Sequence, residues 1–143
     1  MSMANVDHFE LVVSDVERAA EFYAKLGAKV VREASGSGAG SDRQRVALQI
    51  GKDTEMNLVT PSDVARSRRE ALPGGGHVCL SWDGAMDQYM ALLAGNGLKP
   101  REERGGPSPV NATRGAGTHI YIYDPDGNSI EVVCYPEATP ARV

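Results

Sequence analysis

Asp7-His8-Phe9-Glu10-Leu11-Val12-Val13 and Gly76-His77-Val78-Cys79-Leu80-Ser81-Trp82 are two versions of one pattern, with the histidines 69 residues apart. Each alternates in the manner of a strand and is led by a histidine. Each also runs into an amphipathic helix that stops at glycine. The first helix is expected to start at Ser14, with Glu17 completing a capping box. It carries Val16, Ala19, Ala20, Tyr23 and Leu26 on one face and ends at Gly27. The second is expected from near Asp83, with Met86, Tyr89, Met90 and Leu93 on one face, and stops at Gly95-Asn96-Gly97. Gly27 and Gly97 are 70 residues apart, so strand and helix repeat together.

Beyond each helix the periodicity changes to 2. The first half predicts strands near 28–33, 43–50 and 54–60, and the second near 98–102, 117–123 and 128–135. The result is an α+β fold of two tandem βαβββ modules, residues 6–61 and 76–136, joined by a linker over 62–75 within one 143-residue domain. Ser35 to Ser41 reads as a small-residue connector, Arg66, Arg68 and Arg69 as a solvated linker face, and Arg104 to Gly117 as a long loop.

Residues i and i+2 of a strand share a face. Phe9, Leu11 and Val13 oppose His8, Glu10 and Val12; Val78, Leu80 and Trp82 oppose His77, Cys79 and Ser81. Ile120 and Ile122 oppose His119, Tyr121 and Tyr123, and Ile130, Val132 and Cys134 oppose Glu131 and Tyr135. One face is apolar and suited to helices. The other gathers all three histidines with tyrosines, a cysteine and few lysines. Two arrangements meet that division: a curled mixed sheet around a polar pocket with helices on its convex face, or an open antiparallel sheet with one wet face.

Lys plus Arg number 15 against 19 Asp plus Glu, a formal charge of −4. Such a chain has no general attraction to phosphate backbones or anionic lipid, so nucleic acid and membrane are not expected partners. No apolar run approaches the roughly 18 residues of a membrane span. Two cysteines, Cys79 and Cys134, form no disulfide framework, which points to a reduced cytoplasmic setting.

The doubled unit, the opening Val6-Asp-His8 with Asp15-Val-Glu-Arg and Phe22-Tyr23, and above all Tyr121-Ile-Tyr-Asp-Pro-Asp-Gly-Asn-Ser-Ile-Glu131 resemble the vicinal oxygen chelate superfamily. That group holds glyoxalases, bleomycin-resistance proteins, fosfomycin-resistance enzymes and extradiol dioxygenases. The resemblance spans residues 6–136 and implies a small-molecule substrate and a homodimer. It also implies a divalent metal ion (Zn, Ni, Mn or Fe) on His8, His77 and Glu131, with Asn57 at the fourth matching position. Glyoxalases place a carboxylate where Asn57 stands, and an amide cannot act as a base.

Under that resemblance two imidazoles and a carboxylate leave coordination sites open for a substrate that chelates through two oxygens. Tyr121 is the candidate donor to a developing oxyanion, and Glu10 and His119 are candidates for moving a proton. Asn57 and Arg114 join Tyr121 as candidate substrate contacts, Arg114 as a clamp on an anionic group. The sequence therefore points to a metal-dependent lyase, isomerase, transferase or dioxygenase using Lewis-acid chemistry. The alternative is a non-catalytic protein that binds an antibiotic or other small molecule in the same pocket.

Overall fold

The computed structural model describes residue 6 and residues 8–34, 44–66 and 70–136. It contains two compact units, Met1–Gly76 and His77–Val143. The first holds β1 (His8–Val12), α1 (Val16–Lys25), β2 (Lys29–Ala34), β3 (Gln44–Ile50), β4 (Thr54–Val59) and α2 (Pro61–Arg66). The second holds β5 (His77–Trp82), α3 (Met86–Gly95), a 3-10 turn (Glu102–Arg104), β6 (Ser108–Ala112), β7 (Gly115–Tyr123) and β8 (Ser129–Cys134). Their sheets run β1-β4-β3-β2 and β5-β8-β7-β6. In each, the strand before the helix lies parallel to the last strand and the other pairings are antiparallel. The α+β architecture of two βαβββ modules is thus present as two four-stranded mixed sheets.

The repeat extends to the way the helices end. Ala28 N donates to Tyr23 O (2.9 Å) and Gly27 N to Ala24 O (3.1 Å); Leu98 N donates to Leu93 O (2.9 Å) and Gly97 N to Ala94 O (3.1 Å). Both are Schellman caps, and both need a left-handed residue, which Gly27 (φ 102°) and Gly97 (φ 69°) supply without a Cβ clash. The first helix is capped at its other end by Asp15, whose Oδ1 accepts from Arg18 N at 3.0 Å, and not by Ser14. The parallel ladder continues one residue past β1, with Val13 N donating to Val59 O at 2.9 Å, and this moves the helix start along the chain. Glu17 pairs with Arg32 instead.

Burial follows the strand alternation. Leu11, Val13, Leu48, Met56 and Leu58 are buried in the first unit together with Ala19, Ala20 and Tyr23 of α1, which packs on β2, β3 and β4. In the second unit Ile120, Ile122, Ile130 and Val132 are buried, as are Tyr89 and Leu93 of α3. Each Val, Leu, Ile or Met side chain so covered contributes about 1.5–3 kcal/mol. The opposite faces are open at their parallel strands, where His8 and Glu10 on β1 and His77, Cys79 and Ser81 on β5 are exposed, and closed further in, where Ala47 and Val133 are buried.

Three expectations change. The second helix begins at Met86 rather than near Asp83, with Gln88 Oε1 accepting from Ala85 N at 3.4 Å. The segment read as linker after residue 61 contains α2. There Asp63 Oδ2 accepts from both Thr60 N (2.9 Å) and Thr60 Oγ1 (2.8 Å), and Val64 is buried. The strand expected over 98–102 does not form. The segment makes one backbone bond to the sheet, Arg101 N to Tyr121 O at 2.8 Å, and the edge position beside β7 is taken by a later stretch of chain. The strand forms later, as β6, inside the stretch read as a loop over 104–117. Its Pro109 is tolerated because β6 is an edge strand. The connector Ser35–Ser41 and the side chains of Arg66, Arg68 and Arg69 lie outside the described residues.

Candidate functional site

A turn sets the site's register. Asp124 and Asn128 are buried, and Asp124 Oδ1 accepts from Asp126 N (2.9 Å) and Asn128 N (2.8 Å). Asp124 Oδ2 accepts from Asn128 Nδ2 at 2.8 Å. This Asx turn folds β7 onto β8 so that Tyr121 stands directly across from Glu131, and β5 brings Cys79 across from Glu131 on the other side. His77 and His119 are the diagonal neighbours, within reach of long side chains.

Glu131 is the hub. Its Oε1 lies 2.6 Å from His119 Nδ1, and its Oε2 lies 3.5 Å from His77 Nε2. Side-chain exposure is 12% for Glu131 and 15% for His119, but 52% for His77, so His77 is the most open of the three. The Tyr121 ring stands 5.0 Å from that of His119 and 6.3 Å from that of His77, centroid to centroid. Cys79 is pushed up to about 11, first by desolvation of its sheet-facing side and then by the Glu131 carboxylate, so it is a neutral thiol at ordinary pH.

The separations sort the residues by role. Two ligands of one tetrahedral ion at ordinary bond lengths stand about 3.4 Å apart. His77 Nε2 and Glu131 Oε2 have that spacing, which is also too long for a hydrogen bond. His119 is too close to Glu131 to share an ion with it and is instead the partner that holds the carboxylate. Among the described residues no group of three or more His, Cys, Asp and Glu is arranged to hold a metal ion. The pair fits two positions of a coordination sphere and leaves the others to be supplied.

The first unit repeats this layout with different chemistry. Glu10 and Ala47 flank Asn57 directly, where Cys79 and Tyr121 flank Glu131. His8 starts β1 across from Glu55. Arg45 Nη1 donates to Asn57 Oδ1 at 2.9 Å and also pairs with Glu55, while its Nη2 pairs with Glu33 at 2.6 Å. These carboxylates raise the Arg45 pKa still further, Glu55 most. The Asn57 side-chain carbonyl is therefore engaged by a cation of its own sheet.

Arg114 lies elsewhere. It stands at the β6–β7 turn, its guanidinium 4.7 Å from the Tyr135 ring centroid, and its backbone N–H donates to Tyr135 Oη at 3.2 Å. It lines a cavity of about 650 Å³ with Trp82, Met86, Thr118 and Cys134, which does not include Glu131, His77 or Tyr121. Two other arginines, not singled out in the sequence, stand over the site's tyrosines. Arg101 is 3.6 Å from the Tyr123 ring centroid and Arg104 is 4.3 Å from that of Tyr121. Nothing in local sequence announces them, because the 3-10 turn that carries them replaces the expected strand.

The sequence profile of the Glyoxalase/Bleomycin resistance protein/Dioxygenase superfamily matches residues 5–132. The chain belongs to this superfamily. A glyoxalase domain-containing protein of Mycosarcoma maydis is 28% identical over 96% of this chain and 72% of its own length. Among solved structures, an integron cassette protein of V. cholerae is 30% identical with a TM-score of 0.71, covering 95% of this chain and 98% of the other. An antibiotic-binding protein of Streptomyces is 25% identical with a TM-score of 0.60, covering 95% and 99%. Superfamily members commonly use divalent metals, bind small molecules and often form dimers, and both enzymes and binding proteins occur among them. No helix among the described residues is long and apolar enough to cross a membrane.

Proposed function

We propose that the chain is a metal-dependent superfamily enzyme acting on a small molecule that chelates through two oxygens. The observation that carries this reading is the division of Glu131: one oxygen held by His119, the other at co-ligand distance from His77. His77 and Glu131 are proposed as ligands, with His8 as the third, from the same chain or from a second copy in a homodimer. The ion (Zn, Ni, Mn or Fe) would supply Lewis-acid polarisation of a substrate oxygen. His119 fixes the Glu131 carboxylate and, through its other ring nitrogen, accepts or returns a proton. Tyr121 donates its phenolic hydrogen to the oxygen that gains charge. Glu10 is the candidate base of the first unit. A cytoplasmic location accords with two unbridged cysteines.

A second reading is a non-catalytic binding protein, favoured by the likeness to the Streptomyces antibiotic-binding protein. Acetohydroxamate, a small two-oxygen chelator, separates the two. Chelator-stripped protein is supplemented with Zn, Ni, Mn or Fe(II), and probe binding is followed by calorimetry. Binding that requires added metal and is lost in His77→Ala supports the enzyme. Absence of metal-dependent binding, together with tight metal-independent capture of an aromatic antibiotic, would replace it with the binding protein.

A further inference from the structure

We infer that Arg104 binds an oxyanionic group of the substrate, so that the substrate class is a small molecule bearing a carboxylate, phosphonate or phosphate beside its chelating oxygens. This rests on the reading of the His77–Glu131–Tyr121 face as the reactive site.

The internal repeat makes the position of Arg104 conspicuous. In the first unit the chain leaves the Gly27 cap and enters β2 at Lys29. In the second it leaves the Gly97 cap, makes the single Arg101 N to Tyr121 O bond, and departs from the sheet. It turns through Glu102–Arg104, closed by Arg104 N to Arg101 O (3.2 Å) and Gly105 N to Glu102 O (3.0 Å), and rejoins the sheet only at Ser108. This excursion delivers Arg101 over Tyr123 and Arg104 over Tyr121.

The two arginines differ in what remains open on them. Arg101 Nε and Nη2 both reach Glu103 Oε1 at 2.7 Å, so that guanidinium has its counter-ion and buttresses the turn. The Arg104 side chain makes no hydrogen bond or ion pair among the described residues; its contact is the Tyr121 ring. The guanidinium carbon stands 4.3 Å from the ring centroid, and its N–H groups, a planar fork matched to two oxygens of one anion, make no hydrogen bond among the described residues. The same Tyr121 ring neighbours His119 and His77. An anion gripped by Arg104 is thereby tethered beside the Glu131 cluster; Glu103 makes its hydrogen bond to Arg101 and acts on Arg104 only through its charge.

The test titrates wild type, Arg104→Gln and Arg104→Lys with phenylphosphonate, benzoate and the neutral benzamide, followed by NMR, while metal content is measured on the same samples. Preference for phenylphosphonate assigns a tetrahedral oxyanion, and preference for benzoate a carboxylate. Arg104→Gln is expected to weaken the preferred anion about tenfold or more, with benzamide unaffected. Arg104→Lys should fall between, since an ammonium keeps the charge but not the fork. Anion affinity unchanged in Arg104→Gln, or wild type binding neither anion up to about 10 mM, overturns the proposal. A chain that takes up no metal yet loses anion affinity in Arg104→Gln sinks the metal-enzyme reading alone; metal uptake without any Arg104 dependence sinks this inference alone.

Discussion

Glu131 Oε1 lies 2.6 Å from His119 Nδ1. One module earlier, Arg45 and Asn57 occupy the same two rows of their sheet and are hydrogen-bonded at 2.9 Å. The repeat therefore preserves a cross-strand bond while exchanging an arginine–amide pair for a histidine–carboxylate pair. In the first sheet the arrangement is an ion-paired network with Glu33 and Glu55. In the second it presents a carboxylate with one oxygen fixed and one directed at His77.

Removing the fixing group leaves the carboxylate free to rotate. His119→Ala is expected to lower divalent-metal affinity about 10–100-fold, the usual cost of losing a group that orients a ligand. Competition against a chromophoric chelator measures this, with circular dichroism confirming that the fold is kept. An unchanged affinity contradicts the assigned role.

The β7–β8 turn depends on one buried side chain. Asp124→Ala removes the hydrogen bonds from Asp126 N, Asn128 N and Asn128 Nδ2, which should cost about 2–4 kcal/mol. Asp124→Asn keeps the shape and should cost less. Urea unfolding midpoints provide the comparison.

Tyr89, buried against Trp82 with ring centroids 4.9 Å apart, has its phenol pKa raised, first by desolvation and then by Cys134. In the unfolded chain that phenol ionises near pH 10, so above this pH the unfolded state loses a proton that the folded state retains. Stability is fully present below about pH 10 and falls above it, by up to about 1.4 kcal/mol per pH unit from this group. Urea midpoints at pH 9 and 11 should diverge more in wild type than in Tyr89→Phe; equal divergence refutes the assignment.

Gly97→Ala tests the repeated cap. At φ 69° an added Cβ would meet no atom within 4 Å, so the cost is conformational alone, about 1–2 kcal/mol by the left-handed penalty. Gly97→Asn should cost less, since asparagine tolerates that region. A loss well above this range indicates that the cap bears on packing as well.

Where residue type and spacing determine structure locally, the sequence was readable. The histidine-led strands, the glycine-ended helices, the apolar faces and the Tyr121–Glu131 motif all meet that condition. Thr60-Pro61-Ser62-Asp63 is a local helix start of the same kind, with Thr60 and Asp63 bonded to each other at the head of α2. The position of β6 was not local: two stretches of chain compete for the edge beside β7, and pairing selects Ser108–Ala112. The consequence for the site was larger than for the fold. Arg101 and Arg104 stand over the tyrosines from the stretch where a strand is expected and a turn forms, whereas Arg114, in the β6–β7 turn, lies beside Tyr135.

The most direct test is metal content per chain by mass spectrometry, after equilibration with each candidate ion and desalting, for wild type, His77→Ala and Glu131→Gln. The account predicts about one ion per wild-type chain, retained through desalting and lost in both variants, with His119→Ala retaining it weakly. Wild type that holds no ion, or variants that hold it as firmly as wild type, would contradict the assignment of His77 and Glu131 as the centre of the site.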